Sequence, residues 1–336
     1  MPWFTQSPRA LDIVPVGRIA VDFNPTDYNR PLSQSEHFNK YLGGSPANIA
    51  VGMARLGRRV GFLAKISDDA FGDFVQGFFE REGIDVSHVT RCTGGEKLGL
   101  TFTEILSPTQ SSILMYREGA ADLALHPCDV DEAYIAGTRA LLISGTALSA
   151  SPSREAALKA LALARRLGVT VVFDADYRAY TWKGDDEIAV YTSLAAERSD
   201  IILGSREEFD RMERLLGLAG TDEASAAHWL GLGAKLLVIK HGREGSRAYA
   251  PGEAYRVLPF PVEALKGFGG GDGYASALLH GLMAGRPLAQ ALEMGSASAA
   301  MLVASHACSR DMPDEASLMA FIEEKKRACG GVVFPL

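Results

Sequence analysis

The chain has 336 residues, 47% of them hydrophobic and 22% charged, with a formal net charge of −7. That balance describes a globular protein with a sizeable core, and its acidic excess argues against general binding to nucleic acid or to anionic membranes. No run approaches the ~20 apolar residues of a bilayer span, no signal-peptide pattern opens the chain, and Cys92, Cys128, Cys308 and Cys329 form no Cys-x-x-Cys pair, which leads us to expect a cytoplasmic protein with reduced thiols. His37, His88, His126, His228, His241, His280 and His306 show no metal-ligand spacing, and no Walker-type P-loop is present.

Along the chain, short apolar runs suited to buried strands alternate with helical patterns. The runs are Leu11–Val16, Val60–Ala64, Ala140–Ser144, Val169–Phe173, Asp200–Leu203 and Leu236–Ile239. This order predicts a largely parallel sheet covered on both faces. Ser45-Pro46 reads as an N-cap followed by an N1 proline, opening a helix over Ala47–Leu56 that Gly57 stops. A second helix, Phe71–Glu82, ends at Gly83. Ser151-Pro152 opens a third, closed by Gly168. Two segments break the alternation: Arg18–Phe23 with His37–Leu42, and Leu98–Ile105 with Ser111–Arg117, the latter a hairpin around Ser107-Pro108-Thr109-Gln110. No repeat or low-complexity linker marks a boundary, so residues 1–336 are expected to form one domain, with lid segments at about 18–42 and 97–118.

The most informative stretch is Lys266-Gly267-Phe268-Gly269-Gly270-Gly271-Asp272-Gly273-Tyr274, which runs into an apolar helix. Three glycines leave backbone N–H groups uncovered where the helix dipole is positive, a setting that attracts phosphate. A carboxylate beside a phosphate site is what a phosphoryl transferase needs to take the proton from an attacking hydroxyl. The plainer reading is a glycine turn with Asp272 as helix N-cap. A second glycine signature, Gly43-Gly44-Ser45-Pro46-Ala47-Asn48, lies near the N-terminus.

The two signatures, in this order, resemble those of the ribokinase-like (PfkB) carbohydrate kinases, with Gly270 in the place of an alanine in their Gly-Ala-Gly-Asp motif. The similarity extends from about Asp12 to near Phe321. It implies a three-layer α/β/α sandwich with a mostly parallel central sheet and a small β-sheet lid over the sugar, excluding water. It makes Asp272 the general base and Gly269, Gly270 and Gly271 the anion hole. It places Asp22, Gly43, Gly44 and Asn48 on sugar hydroxyls, although Asn48 also has a plain reading as a backbone cap. ATP and Mg2+ are the implied cofactors. The resemblance also admits a monovalent cation near the anion hole and a homodimer through the lid.

Ser205-Arg206-Glu207-Glu208 falls where the family carries Asn-x-x-Glu. Ser-x-x-Glu before a helix is also a complete capping box, so Glu208 is either a cap or an organiser of magnesium through water. Lys240-His241-Gly242-Arg243-Glu244-Gly245 resembles the nucleotide-side turn, with Ser205, Lys240, Gly242 and Gly245 on that side. Lys240 either reaches the ATP phosphates or is a solvated lysine at a strand end.

For the substrate, Tyr116-Arg117 and Asp176-Tyr177-Arg178 match places where kinases of keto-sugar acids hold the carboxylate, with Asp176 where an asparagine is frequent. A guanidinium forks two hydrogen bonds to a carboxylate, which a neutral sugar lacks; each arginine read singly is equally a surface ion pair. Lys266-Gly267-Phe268 replaces the usual Asp-Thr-x, and together with Tyr180-Thr181-Trp182 and Lys240-His241-Gly242 points to a branch that phosphorylates a dehydro-deoxy sugar acid at its terminal hydroxyl. Other sugar kinases of the family, and a catalytically silent sugar-acid sensor, are the alternatives. The intact Asp272 argues against the sensor.

Overall fold

A computed structural model describes residues 3–5, 7–107 and 110–336. Its strands are β1 Leu11–Val16, β2 Ala20–Pro25, β3 Phe38–Gly43, β4 Ala64–Ile66, β5 Val89–Arg91, β6 Gly99–Ser107, β7 Gln110–Tyr116, β8 Thr138–Ser144, β9 Thr170–Asp174, β10 Ile201–Ser205, β11 Leu236–Lys240, β12 Ser246–Ala250, β13 Glu253–Val257 and β14 Val333–Pro335. The helices are α1 Ser45–Arg55, α2 Ala70–Arg81, α3 Glu132–Ala136, α4 Ser153–Arg166, α5 Asp185–Ala196, α6 Arg206–Glu213, α7 Asp222–Gly231, α8 Gly270–Met283, α9 Leu288–Val303 and α10 Glu315–Cys329.

The central sheet runs β1-β8-β9-β10-β11-β12-β13-β14. Its first five strands are parallel, and β12 to β14 add antiparallel at one edge. The parallel strands are apolar on both faces because helices cover both. Leu142 of β8 and Val238 of β11 pack with α1, α8 and α9, while the neighbouring Ile143 and Ile239 pack with α4, α6 and α7 on the other side. The expected three layers are therefore present. Among the described residues, no helix is long and apolar enough to cross a membrane.

A separate four-stranded sheet, β3-β2-β6-β7, is built from the two segments that interrupt the alternation. The residues Pro108 and Thr109 expected at its hairpin turn lie outside the described residues. Period-two alternation gives this sheet two unlike faces. Asp22, Tyr41, Thr101 and Met115 share one row and one face; Phe23, Lys40, Phe102 and Leu114 form the next row, on the other.

Three local expectations are corrected. Val60–Ala64 is not a continuous strand; Val60 and Leu63 make isolated bridges to β1 and only Ala64 enters β4. Helix α4 starts at Ser153, with Pro152 as its N-cap position. Helix α1 starts at Ser45 rather than after it. Gly44, at φ 100°, is its N-cap, and no side chain caps it. The Ser45 hydroxyl has a different partner, which bears on the site.

Candidate active site

The carboxyl ends of the parallel strands carry the polar residues of the site, the usual position for a ligand in an open α/β sheet. Ser144 ends β8, Asp174 ends β9, Ser205 ends β10 and Lys240 ends β11. Ser144 pairs in register with Asp174, and Ser205 with Lys240. Above these ends lies the N-terminus of α8, with Gly269 at its cap in the left-handed region, φ 85°. No side chain caps this helix, so the first amides of α8 are available to an anion. At Gly271 an added Cβ would meet only Lys240 Nζ, at 3.4 Å.

Asp272 does not cap the helix. Its Oδ1 accepts from Ser45 Oγ at 2.8 Å and its Oδ2 from Asn48 Nδ2 at 2.7 Å, both on the first turns of α1. Burial raises the pKa of Asp272, and the nearby Asp176 adds to this; the hydrogen bonds from Asn48 and Ser45 and the charge of Arg178 oppose it. Ser45 Oγ also lies 3.3 Å from Asp174 Oδ2. One hydroxyl hydrogen cannot serve two carboxylates at once. Burial pushes the Asp174 carboxyl upward against the opposing charge of Lys240, and in its protonated form Asp174 can itself donate to Ser45. Ser45 is thus a site residue that the sequence reading missed, because Ser-Pro at a helix start reads as a cap.

Lys240 is not a solvated lysine. Its Nζ sits 3.7 Å from Asp174 Oδ1. Burial disfavours its charge, but Asp174, Glu208 and Asp272 outweigh burial and hold its pKa above the ordinary lysine value. Gly242 and Gly245 follow it in the turn to β12, at φ 56° and 92°. The capping box of α6 is complete: Ser205 Oγ accepts from Glu208 N, and Glu208 Oε2 accepts from Ser205 N at 2.6 Å. Glu208 Oε1 accepts from Tyr177 N at 2.8 Å, which ties α6 to the loop after β9.

On the lid side, an added Cβ at Gly43 would overlap the Asp22 carboxylate, and one at Gly44 would overlap the Arg18 carbonyl. The glycines let the start of α1 approach β2. Asp176 takes a positive φ of 34°, unusual for a residue with a side chain. Its Oδ2 accepts from Ser144 Oγ at 2.9 Å, and its Oδ1 pairs with Arg178 at 3.0 Å. Burial raises the Asp176 pKa, but Arg178 and then Arg18 overcome it and leave it below the usual range.

Two residues expected on the substrate are placed elsewhere. Arg117 is buried and its donors are occupied: Asp122 Oδ2 takes Nε and Nη2, the Thr146 carbonyl takes Nη2, and Ser149 and Thr181 take Nη1. Tyr116 is 61% exposed and stands in the row of Leu100, on the lid face opposite to Asp22. Arg178, one-third exposed, keeps donors free beyond those bound to Asp176 and to the Tyr177 carbonyl. A further arginine, Arg18, was missed. It is 5% exposed, contacts Thr101 Oγ1 and Met115 Sδ, and its Nε has no partner. A lone arginine in the apolar stretch Ile13–Phe23 was the available signal.

Among the described residues, seven buried side-chain polar atoms lack a hydrogen-bond partner, and four of them surround this space: Arg18 Nε, Asp22 Oδ1, Asn48 Oδ1 and Asp174 Oδ1. Buried polar groups are rarely left without a hydrogen bond in a resting core, and this cluster, in which Asp174 Oδ1 faces only the Lys240 ammonium, marks a space that a polar ligand would complete.

Comparison with known proteins agrees with this arrangement. The pfkB family carbohydrate kinase description matches residues 10–315. A 5-dehydro-2-deoxygluconokinase of Clostridium perfringens is 62% identical over 97% of this chain and 96% of its own length. Among solved structures, a PfkB protein from Polaromonas sp. JS666 is 29% identical, with a TM-score of 0.80 over 93% of this chain and 100% of that one. A putative ribokinase II from E. coli in complex with ATP and Mg2+ superimposes with a TM-score of 0.83 over 94% of this chain and 99% of that one; at 23% identity it supports the fold alone. With two glycine turns meeting at one partly buried aspartate and the family matched over residues 10–315, this chain belongs to the pfkB family of carbohydrate kinases.

Proposed function

We propose that the chain transfers the γ-phosphoryl group of ATP to the 6-hydroxyl of 5-dehydro-2-deoxy-D-gluconate, acting as one kinase domain under its four-stranded lid. The observation that carries the reading is Asp272, a partly buried carboxylate oriented by Ser45 and Asn48 at the open N-terminus of α8. The high identity to 5-dehydro-2-deoxygluconokinases supports the choice of substrate.

The hydroxyl of the sugar donates to Asp272, which takes its proton as the oxygen attacks phosphorus and ADP leaves. The raised pKa of Asp272 strengthens it as a base relative to an ordinary aspartate. The amides at Gly269–Gly271 and the Lys240 ammonium stabilise charge on the transferred group. Among the described residues no cluster of three or more His, Cys, Asp or Glu could hold a metal ion by itself. Asp174 Oδ1 has no hydrogen bond and faces only the Lys240 ammonium at 3.7 Å, whereas both Glu208 oxygens are taken by backbone amides. Asp174 would hold the ion accompanying ATP, whose charge screens the phosphates, and Glu208 would act only through water. Ser205, Gly242 and Gly245 would line the nucleotide side.

Asp22 and Asn48 offer unpaired acceptors to sugar hydroxyls, with Gly43 and Gly44 allowing the approach. Arg178 offers its free donors to the substrate carboxylate, with the unpartnered Nε of Arg18 behind it. Arg117 acts as the buried support of the lid end rather than as a direct ligand. An assay of ADP release across sugar acids and neutral sugars tests the reading. It requires 5-dehydro-2-deoxygluconate to be the best acceptor, and a neutral hexose or ribose as best acceptor would contradict it.

A further inference from the structure

Beneath the glycine turn lies a second buried cation that the reaction described above does not use. Lys266 is 1% exposed, one of the largest fully buried side chains in the protein. Its Nζ donates to the Ala307 carbonyl at 2.7 Å and the His306 carbonyl at 3.2 Å, with Cys308 Sγ at 3.6 Å. Three donors therefore meet three acceptors from three consecutive residues. Consecutive carbonyl oxygens directed at one point inside a protein repel each other unless a cation lies between them, and oxygen cages of this kind suit hard cations. The cage touches the anion hole directly. An added Cβ at Gly269 would overlap Cys308 Sγ and lie 3.9 Å from Lys266 Cε. It also touches the lid, because the His306 carbonyl accepts from Asn24 of β2 at 2.9 Å, and the His306 ring bonds Tyr41 of β3 at 2.8 Å and the Pro25 carbonyl at 3.0 Å.

We propose that the Lys266 ammonium takes the place of a bound monovalent cation beneath the anion hole, so that this kinase works without an added alkali ion. A free cation site does not fit the residues present, since the lysine nitrogen already fills the carbonyl cage. Lys266 is a positioning residue. It fixes the 306–308 loop against Gly269, so the amides of the turn are aimed before phosphate arrives, and it adds positive charge below them. This rests on the glycine turn being the phosphate site.

The test compares K+, NH4+ and choline chlorides at equal ionic strength, reading turnover and, separately, thermal unfolding without substrates. Wild type should turn over equally in all three and show no K+-specific gain in Tm. Lys266→Ala should lose at least about tenfold in turnover in choline and regain most of it in K+ or NH4+, with a K+-specific rise in Tm. Lys266→Met, which fills the space with an apolar stem, should lose turnover and regain none. Several-fold K+ activation of wild type would overturn the proposal. So would a Lys266→Ala variant that keeps full turnover, or one that stays folded and is rescued by no cation. If Lys266→Ala is too unstable to purify from choline buffer, higher recovery of folded protein from K+ buffer supports the proposal, and equal recovery overturns it. The unfolding arm needs no phosphoryl transfer, so it stands apart from the assignment of substrate. A wild type that phosphorylates no sugar acid would instead defeat the functional reading.

Discussion

The chain has two glycine turns before helices, and they serve different physical ends. Gly43-Gly44 leads into α1, and Gly269–Gly271 leads into α8. Each turn includes a glycine of positive φ, Gly44 at 100° and Gly269 at 85°. At the first turn the missing side chains make room for the protein itself, because a Cβ at either position would collide with the Asp22 carboxylate or the Arg18 backbone. At the second turn, Gly271 faces open space with Lys240 Nζ at its edge. The first turn brings two pieces of the protein together; the second also packs closely at Gly269 and Gly270, where a Cβ would meet Cys308 and Val303, and is open only at Gly271. Their meeting point is Asp272, held from α1 by Ser45 and Asn48.

The largest effect should come at that meeting point. Asp272→Asn preserves size but removes the proton acceptor, so turnover should fall by roughly 10²–10⁴ with little change in KM; steady-state kinetics near wild type would detach the two turns from the chemistry. Next come paired substitutions in the turns themselves. Gly271→Val should cut turnover by at least about 10² while leaving Tm near wild type. Gly44→Ala should instead lower stability by about 1–3 kcal/mol, read by denaturant unfolding. If the two variants exchange these effects, the assignment of the turns is reversed.

The arginines sharpen the same contrast between supporting and receiving positions. Arg117→Met leaves Asp122 buried without its partner and should cost about 3–5 kcal/mol of stability. Arg178→Met should reduce kcat/KM by roughly ten- to a hundredfold toward the acid, and much less toward an analogue reduced at C1. Equal losses on both analogues would remove Arg178 from carboxylate binding. The smallest change is Ser45→Ala, which deletes one of two hydrogen bonds holding Asp272 and should lower turnover by about 1 kcal/mol in activation free energy, or several-fold; an unchanged rate would make that hydroxyl incidental.

Local patterns carried much of this into the sequence. The alternation of strands and helices, the two lid segments and the capping box of Ser205 and Glu208 all depend on neighbours a few residues apart. The glycine turn before Asp272 was legible for the same reason. The local pair of Arg117 and Asp122, five residues apart, was also within reach, yet Arg117 was read toward the substrate. Ser45 was misread because a cap is decided locally, whereas its partner Asp272 lies 227 residues away. Arg18 and Lys266 share that difficulty. Their burial and the carbonyls or hydroxyls they meet arise only when the lid, the 306–308 loop and the sheet come together.

The central claim is that Asp272 is the base at the open turn, and the pH dependence of kcat/KM tests it most directly. A base must be unprotonated to act, and burial raises the pKa of Asp272 above its ordinary value of 3.8. The rate should therefore rise with pH through an acid limb displaced upward from that value, then level off, and the Asp272→Asn variant should lose the limb along with its turnover. A profile that stays flat down to the ordinary carboxylate range, or a variant that keeps the same limb at a comparable rate, would contradict the account.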